Sequence, residues 1–589
     1  MPDTRTDDQK AKDIEKTLRY LAEVRLYFEP MIDNIITYVN HGRRRVSDKD
    51  LKKGQKTGLE IYDGSAMSAL NLLVDGMCGY LCSRNQRWFR FTLPGKLNFP
   101  IMPGMRAWAG RRMDEYPDVR QWLQDCEDVQ YAALNRSNFY DIITEFLRDG
   151  AAPGTAHILA EEDIGAGRIM FTVPHFRECY IAEDQYGHVD TNYRVYKLTL
   201  RQLSNKFGYK RMCELDTNFD NAYRDNMHSE REVIHAIYPR TDYSPDREDS
   251  RSKRVASIWV LRQGSKLIEE SGYDRMPCIT WRWRKNSDEW YGRSPAWDAY
   301  VDILTANEQG RSNLIAAHKM VEPPMVAPSD LRGQVNVGPK GWTFMDRELT
   351  AWMPRPLVTG IQLPFALDAQ ERTKAIIRDH FAVDFFVALT MASQQGTELT
   401  ATQVVHMMGE KASVLGTRVG MLQSEALEPI HERVFDIEVA AGRMPMPPPI
   451  VQQYAMMTGE KVRVEYLGPL AQAQIHGTKA RAIEAGIQMT AQIAQIMPTA
   501  LDVVDWDATT IDALEAAGFP MNRIRPEQEV ANIRQSRLQQ MQHQDQVEMM
   551  TPMAKLLRAA GPKPEPGSPA QKLLNPEQTE AAPQPAGGA

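Results

Sequence analysis

The chain has 589 residues, 42% hydrophobic and 25% charged, with a formal net charge of −7. One hydrophobic core stops growing near ~250–300 residues, so several lobes are expected, and the ordinary composition excludes wholesale disorder. So mild a negative charge excludes a dedicated nucleic-acid binder, which carries a basic excess, but not a protein that DNA merely passes through, since phosphates left unneutralised add no salt-dependent grip.

The amino-terminal residues are polar and acidic, with no apolar stretch of the signal-peptide kind. Residues 9–40 read as one helix, because Ile14, Leu18, Leu21, Phe28, Ile32, Ile35 and Val39 recur at helical spacing. A second helix is expected over 65–82, with Ala66, Ala69, Leu70, Leu73, Met77 and Leu81 inward, then a strand at 88–93 and more helix over 105–150. From 152 to 290 the period shifts toward two, predicting mostly sheet with a polar excursion at 240–253.

Residues 294–320 predict a long helix that Ser294 and Pro295 open as N-cap and first helical residue. Seven prolines between 323 and 364 forbid its continuation and mark a small β or loop module. Further helices are expected over 368–390 and, after a polar break at 393–396, over 400–441. A strand-like segment at 462–467 precedes Ala- and Gln-rich helices to about 560, and the proline-rich last 29 residues read as a disordered tail. The fold class is α+β, mainly α-helical. No apolar run approaches the ~20 residues that span a bilayer.

Chemistry is sparse. Cys78, Cys82, Cys126, Cys179, Cys213 and Cys278 form no C-x-x-C pair and read as reduced thiols of a reducing compartment. Residues 333–341 hold glycines and Lys340, but Pro339 intervenes and no Ser or Thr follows, so they are not a Walker A phosphate loop. The twelve histidines form no zinc-ligand spacing, and His157, His175 and His188 read as structural. There is no G-x-S-x-G elbow, and Glu161-Glu162-Asp163 reads as a solvated turn. Neither a catalytic set, a metal site nor a cofactor is expected.

Trp281 and Trp283 alternate with Arg282 and Arg284, so on a strand the tryptophans share one face and the arginines the other. Tryptophans packed inward beneath solvated arginines is the plainer expectation; a nucleic-acid stacking platform is the alternative. Arg372, Lys374 and Arg378 lie on one helix with Asp368 positioned to pair with Arg372. They make either a salt-bridged face or a surface that brushes passing phosphates.

Several segments resemble the head-to-tail connector, or portal, family of short-tailed phages. Tyr62-Asp63-Gly64-Ser65 and Arg87-Trp88-Phe89 resemble its amino-terminal signature. Tyr291-Gly292-Arg293-Ser294-Pro295, Asn307-Glu308-Gln309 and Glu322-Pro323-Pro324 resemble the start and end of its first stem helix. Thr400 to Val404, Glu410, Leu415-Gly416 and Glu425 to Pro429 resemble the stretch after its tunnel loop, and Gly442 to Pro445 and Tyr466 to Gln474 complete the order.

The resemblance implies a wing over 1–293, stem helices at 294–320 and 367–391, and a clip at 321–366. It also implies a tunnel loop with a long wing helix over 392–470 and crown helices over 471–560, leaving the tail at 561–589. It implies a homododecameric ring at one capsid vertex, assembled in the host cytoplasm, through which double-stranded DNA is packaged and ejected. Terminase motor, tail adaptor, major capsid and scaffold proteins, and ejection or core proteins at the crown are the implied partners, with no membrane. Arg372, Lys374 and Arg378 become candidates for facing the DNA. Ser393, Gln394, Gln395 and Gly396 become the tunnel loop, and Lys340, Arg347 and Arg355 clip residues for docking. Twelve copies at −7 each carry −84 formally, which suits a ring that does not grip DNA. The alternative is another non-enzymatic virion scaffold or adaptor.

Overall fold

The computed structural model describes, apart from isolated positions, residues 5–47, 61–93, 112–243, 249–326, 355–356, 363–387 and 419–467, with short helical pieces at 486–490 and 532–537. Two compact units are distinguished, Met1–Gly477 and Thr478–Ala589; the numbered elements belong to the first, and the short helical pieces to the second. The expected tunnel loop, most of the clip, the helix start at 400–418, the disordered tail and most of the crown lie outside the described residues.

The chain opens with α1 (Asp7–Leu26), whose capping box is built by Thr6 and Gln9. It then bends at Tyr27 and Phe28 into α2 (Glu29–Tyr38). The single helix expected over 9–40 is therefore two, because Pro30 cannot donate to the preceding turn and its ring fits only a first helical turn. α3 (Ser65–Leu81) buries the six residues its spacing named. Strand β1 (Phe89–Thr92) leads to α4 (Pro117–Arg136) and α5 (Phe139–Ala151).

A strand-rich region comes next: β2 (Thr155–Asp163), β3 (Arg168–Thr172), β4 (Cys179–Glu183) and β5 (Val189–Thr199). Three short helices interrupt it, α6 (Leu200–Phe207), α7 (Tyr209–Leu215) and α8 (Phe219–Asp225), the first opened by a Thr199–Gln202 capping box. The sheet resumes with β6 (Glu230–Pro239), β7 (Val255–Leu261), β8 (Lys266–Tyr273) and β9 (Cys278–Arg282). Beyond it lie α9 (Pro295–Asp298), α10 (Tyr300–Val321), and the two-residue strands β10 (Met325–Val326) and β11 (Arg355–Pro356). Then α11 (Leu363–His380), a π turn (Gln423–Leu427), α12 (Glu428–Ala440), α13 (Pro449–Thr458) and β12 (Arg463–Tyr466) complete the unit.

Strands β4 to β8 form an antiparallel meander in chain order. α1 covers one face, with Ala11, Ile14, Leu18 and Leu21 on Ile234, Ala236, Ile258 and Val260. α6 to α8 cover the other, with Leu200, Leu203, Met212 and Phe219 on Val233, Trp259 and Leu261. The alternation of Val233 and Ile234 between these clusters is the period of two expressed as two cores. A larger core joins α3, α4, α5, the β3-β2-β9 sheet, the β1-β12 pair and the helices after residue 295.

Side chains of the same chain close the outer edges of several strands. In β1, the Phe91 amide donates to Glu127 Oε1 at 2.8 Å, and the Phe89 amide and carbonyl both bond Tyr131 Oη at 2.9 Å. Asn138 bonds both backbone groups of Phe171 in β3 at 2.8 Å, as a neighbouring strand would. Tyr291 Oη accepts from the Ile181 amide of β4 at 3.3 Å, and Arg211 Nε donates to the Ile268 carbonyl of β8 at 3.2 Å. Unpaired strand edges template association, and these bonds occupy them.

Candidate functional site

The start of α10 is built on a backbone crossing. Gly154 (φ +101°) and Gly292 lie so close that a Cβ on either would overlap the other's carbonyl oxygen. Around that crossing the Gly292 amide donates to Thr155 Oγ1 at 2.9 Å and Trp297 Nε1 donates to the Pro153 carbonyl at 3.0 Å. Ser294 and Pro295 open α9 as N-cap and first helical residue, as expected, but the serine hydroxyl donates to the Ala152 carbonyl and makes no capping bond. The expected helix is two pieces, α9 and α10, broken at Ala299.

α10 and α11 pack antiparallel, Asn313 opposite Gln370 and Asp302 opposite His380. Their seam is polar. Asn307 Oδ1 accepts from the amides of Tyr62 (2.8 Å) and Asp63 (3.3 Å). Asn313 Nδ2 donates to Gln370 Oε1 at 2.9 Å, and Gln370 Nε2 donates to Asp63 Oδ2 at 3.2 Å. Asp63 also accepts from the amide and hydroxyl of Ser65. At Gly310 a Cβ would stand 2.9 Å from the Tyr62 carbonyl oxygen, so the glycine admits this strap. The Tyr62-Asp63-Gly64-Ser65 motif thus fastens both helices at once. Asn313 and Gln370 were not singled out from sequence, although polar residues on a helix's inward stripe are the signal that would have found them.

The outward faces differ. On α11, Arg372 pairs with Asp368 at 2.8 Å, as its spacing predicts, and is highly exposed. Lys374 lies 2.9 Å from Glu371 and 3.8 Å from Asp63, and Arg378 lies 3.7 Å from Glu371. All three cations are on one helix, and each already has an acidic neighbour. Val301, Leu314, Ile315 and Val321 on α10 and Phe365, Leu367 and Ile376 on α11 are exposed. Arg355 falls on β11, paired with Val326. Lys340, Arg347, Ser393, Gln394, Gln395 and Gly396 lie outside the described residues.

A second constellation centres on Arg282. The expectation for the tryptophan–arginine run holds for Trp281 and Trp283, both buried, and for Arg284, half-exposed beside Asp298 at 2.9 Å. Arg282 is a correction: it is 1% exposed. Its face of β9 is covered by the helix carrying the π turn, and burial of a guanidinium requires paired charge. Glu425 receives the Arg282 amide at 3.0 Å and Nε at 3.2 Å, and also its Nη2. Glu183 receives Nη1 as well as Lys285 Nζ (2.8 Å), and the Gly187 carbonyl accepts from Nη2 at 3.0 Å. With both tryptophans interior, the stacking-platform alternative falls.

Elsewhere titratable groups serve packing. His157 and His431 are buried, and desolvation pushes each down to about 3. His175 is held equally low by burial and by Arg43 and Arg177, and its Nδ1 accepts from the Arg177 amide at 3.1 Å. Glu161, Glu162 and Asp163, expected as a solvated turn, are instead the last residues of β2, opposite Met170, Ile169 and Arg168 of β3. The turn begins after them, with Asp163 Oδ1 accepting from the Ala166 amide at 3.3 Å. Among the described residues no three His, Cys, Asp or Glu side chains gather as metal ligands, the six cysteines are free thiols, and no helix is long and apolar enough to cross a membrane.

A family model described as bacteriophage head to tail connecting protein matches residues 11–524. The portal protein of Salmonella phage epsilon15 is 28% identical over 543 residues, covering 90% of this chain and 92% of the relative. The probable portal protein of Bordetella phage BPP-1 is 27% identical over 523 residues, covering 86% and 87%.

Proposed function

The chain belongs to the bacteriophage head-to-tail connecting protein family, and from that membership we propose that it forms the portal ring of a short-tailed phage. Members of this family are structural virion components at the head–tail junction, so the role is architectural and not enzymatic. In this reading twelve copies frame one opening at a capsid vertex, and double-stranded DNA enters and leaves through it. The terminase motor docks at the clip, with Lys340, Arg347 and Arg355 as candidate contacts, and a tail adaptor later takes its place. Major capsid and scaffold proteins surround the wing, and ejection or core proteins meet the crown.

The α10–α11 pair is the observation that carries the ring. Each helix buries one stripe against its partner and the Tyr62 strap, while Val301, Ile315, Val321, Phe365 and Ile376 remain exposed around it. A second copy of the same pair supplies apolar cover of the right chemistry, and repetition of that contact closes a ring. The cations of α11 support the passage of DNA. Arg372, Lys374 and Arg378 are already matched by Asp368 and Glu371, so phosphates meet charge that is partly satisfied. Such a surface guides DNA without releasing the many counterions that tight binding requires.

Negative-stain electron microscopy with native mass determination tests the reading. Closed rings with a central hole and a mass near twelve times 67.0 kDa are expected. A chain that stays monomeric at high concentration, with its capsid partners present, overturns it.

A further inference from the structure

The helix that ends in α12 contains one turn of a different gauge. Over Gln423–Leu427 it is a π helix, closed by the Glu428 amide donating to the Gln423 carbonyl, five residues back instead of four. Two features favour this register. Pro429, next in line, has no amide to give, and in a regular α-helix its ring would press on the carbonyl of residue 425. The extra residue of the turn also lies where Glu425 reaches Arg282, taking its backbone amide and two guanidinium nitrogens.

The pairing joins distant parts of the chain. Arg282 ends β9, contacts the β4–β5 turn through Glu183 and Gly187, and directly precedes the segment leading to α10. Glu425 belongs to the helix whose residues on either side of the π turn are buried, Val419 and Leu422 before it and Ile430 and Val434 after it. A π turn holds one more residue than the α turn it replaces. It therefore rotates the helix before it by about 100° relative to the helix after it.

We infer that Glu425, held by Arg282 and assisted by Pro429, is a positioning residue that keeps this helix in the π register and so sets the phase of the residues entering it. Without the turn, Gln423 takes the place of Leu422 and Gly420 that of Val419 along the buried stripe. The carboxylate thus decides which side chains of the incoming segment face the core and which face outward.

The structural test does not depend on the portal reading; only its functional arm does. Cryo-electron microscopy of the full-length protein carrying E425Q and P429A together is expected to show a continuous α-helix with residues 419–422 turned by about 100°. Phage complemented with that variant is expected to lose at least tenfold in titre. Deleting Ser424 in the same background removes the surplus residue, and is expected to restore both the phase and the titre. A π turn that persists in the double variant, or a deletion that leaves the phase turned, overturns the proposal. If the double variant does not fold, E425Q and P429A are examined singly by hydrogen exchange. Faster exchange at the Glu428 amide in E425Q supports the inference, and unchanged exchange in both variants overturns it.

Discussion

Glu127 shows how much one buried side chain is asked to do. It closes the edge of β1 by accepting the Phe91 amide, and burial raises its carboxyl to about 7 despite that bond and the nearby Arg87 and Arg90. The folded protein therefore holds a proton there that the unfolded chain releases, and stability falls as pH rises from about 4.5 to 7. E127Q keeps an acceptor for Phe91 and removes the buried charge. Thermal melts are expected to show the variant gaining on the parent by about 3 kcal/mol at pH 8 and by almost nothing at pH 4.5. An equal difference at both pH values would contradict this account. Gly310 is a second such point. Alanine there gains about 1 kcal/mol of helix propensity, but its Cβ meets the Tyr62 carbonyl oxygen at 2.9 Å, and that oxygen belongs to backbone held by Asn307. G310A is expected to lower stability by about 1–2 kcal/mol, read as a shift in denaturant midpoint.

At the scale of elements, the sequence made α3 legible because its inward positions are all apolar and nothing interrupts them. It made α1 and α2 legible as helix but not as two helices, since the apolar stripe continues past Pro30 and periodicity carries no information about bends. The helix start at Ser294 and Pro295 was legible in the same way, but the destination of the serine hydroxyl was not, since a preference for the cap position says nothing about the residue 152 carbonyl that takes it. Of the candidate site, the pairing of Arg372 with Asp368 was legible from spacing alone. The polar seam of Asp63, Asn313 and Gln370 was not, because its members lie more than fifty residues apart in sequence. Nor was the burial of Arg282, which depends on Glu183 and Glu425 arriving from both sides.

The two long helices give a prediction at the same scale. Ile315 and Ile376 are nearly half exposed and take no part in the seam, so aspartate at either leaves the subunit's own core intact. I315D and I376D are expected to give soluble, folded subunits that no longer close into rings, as sedimentation velocity would show. Rings formed normally by both variants would move the intersubunit contact elsewhere.

For the whole molecule, charge and protonation set the working range. Neutralising the three α11 cations (R372Q, K374Q and R378Q) is expected to leave ring formation unchanged and to impair DNA retention in filled capsids, measured as encapsidated genome length. Unchanged retention would assign those residues to salt bridges alone. Acid should be poorly tolerated. His157, His175, His235 and His431 are held neutral by burial, whereas the unfolded chain protonates near 6.5. Each lowers stability as pH falls below that value, by up to about 1.4 kcal/mol per pH unit. Glu127 and Asp149, raised to about 7 and about 6, and Asp190 and Asp436, also raised by burial, act in the opposite sense and offset part of this loss. Melts of the I315D subunit at constant ionic strength are expected to fall steadily from pH 6.5 to 5, and a flat profile would count against the histidines.

The side chains that occupy the outer edges of β1, β3, β4, β8 and β9 bear on the time before assembly. In the proposed ring many copies of the subunit are needed together, and they meet before assembly. With those backbone groups occupied from within, the waiting copies have fewer free positions at which to zip together strand by strand.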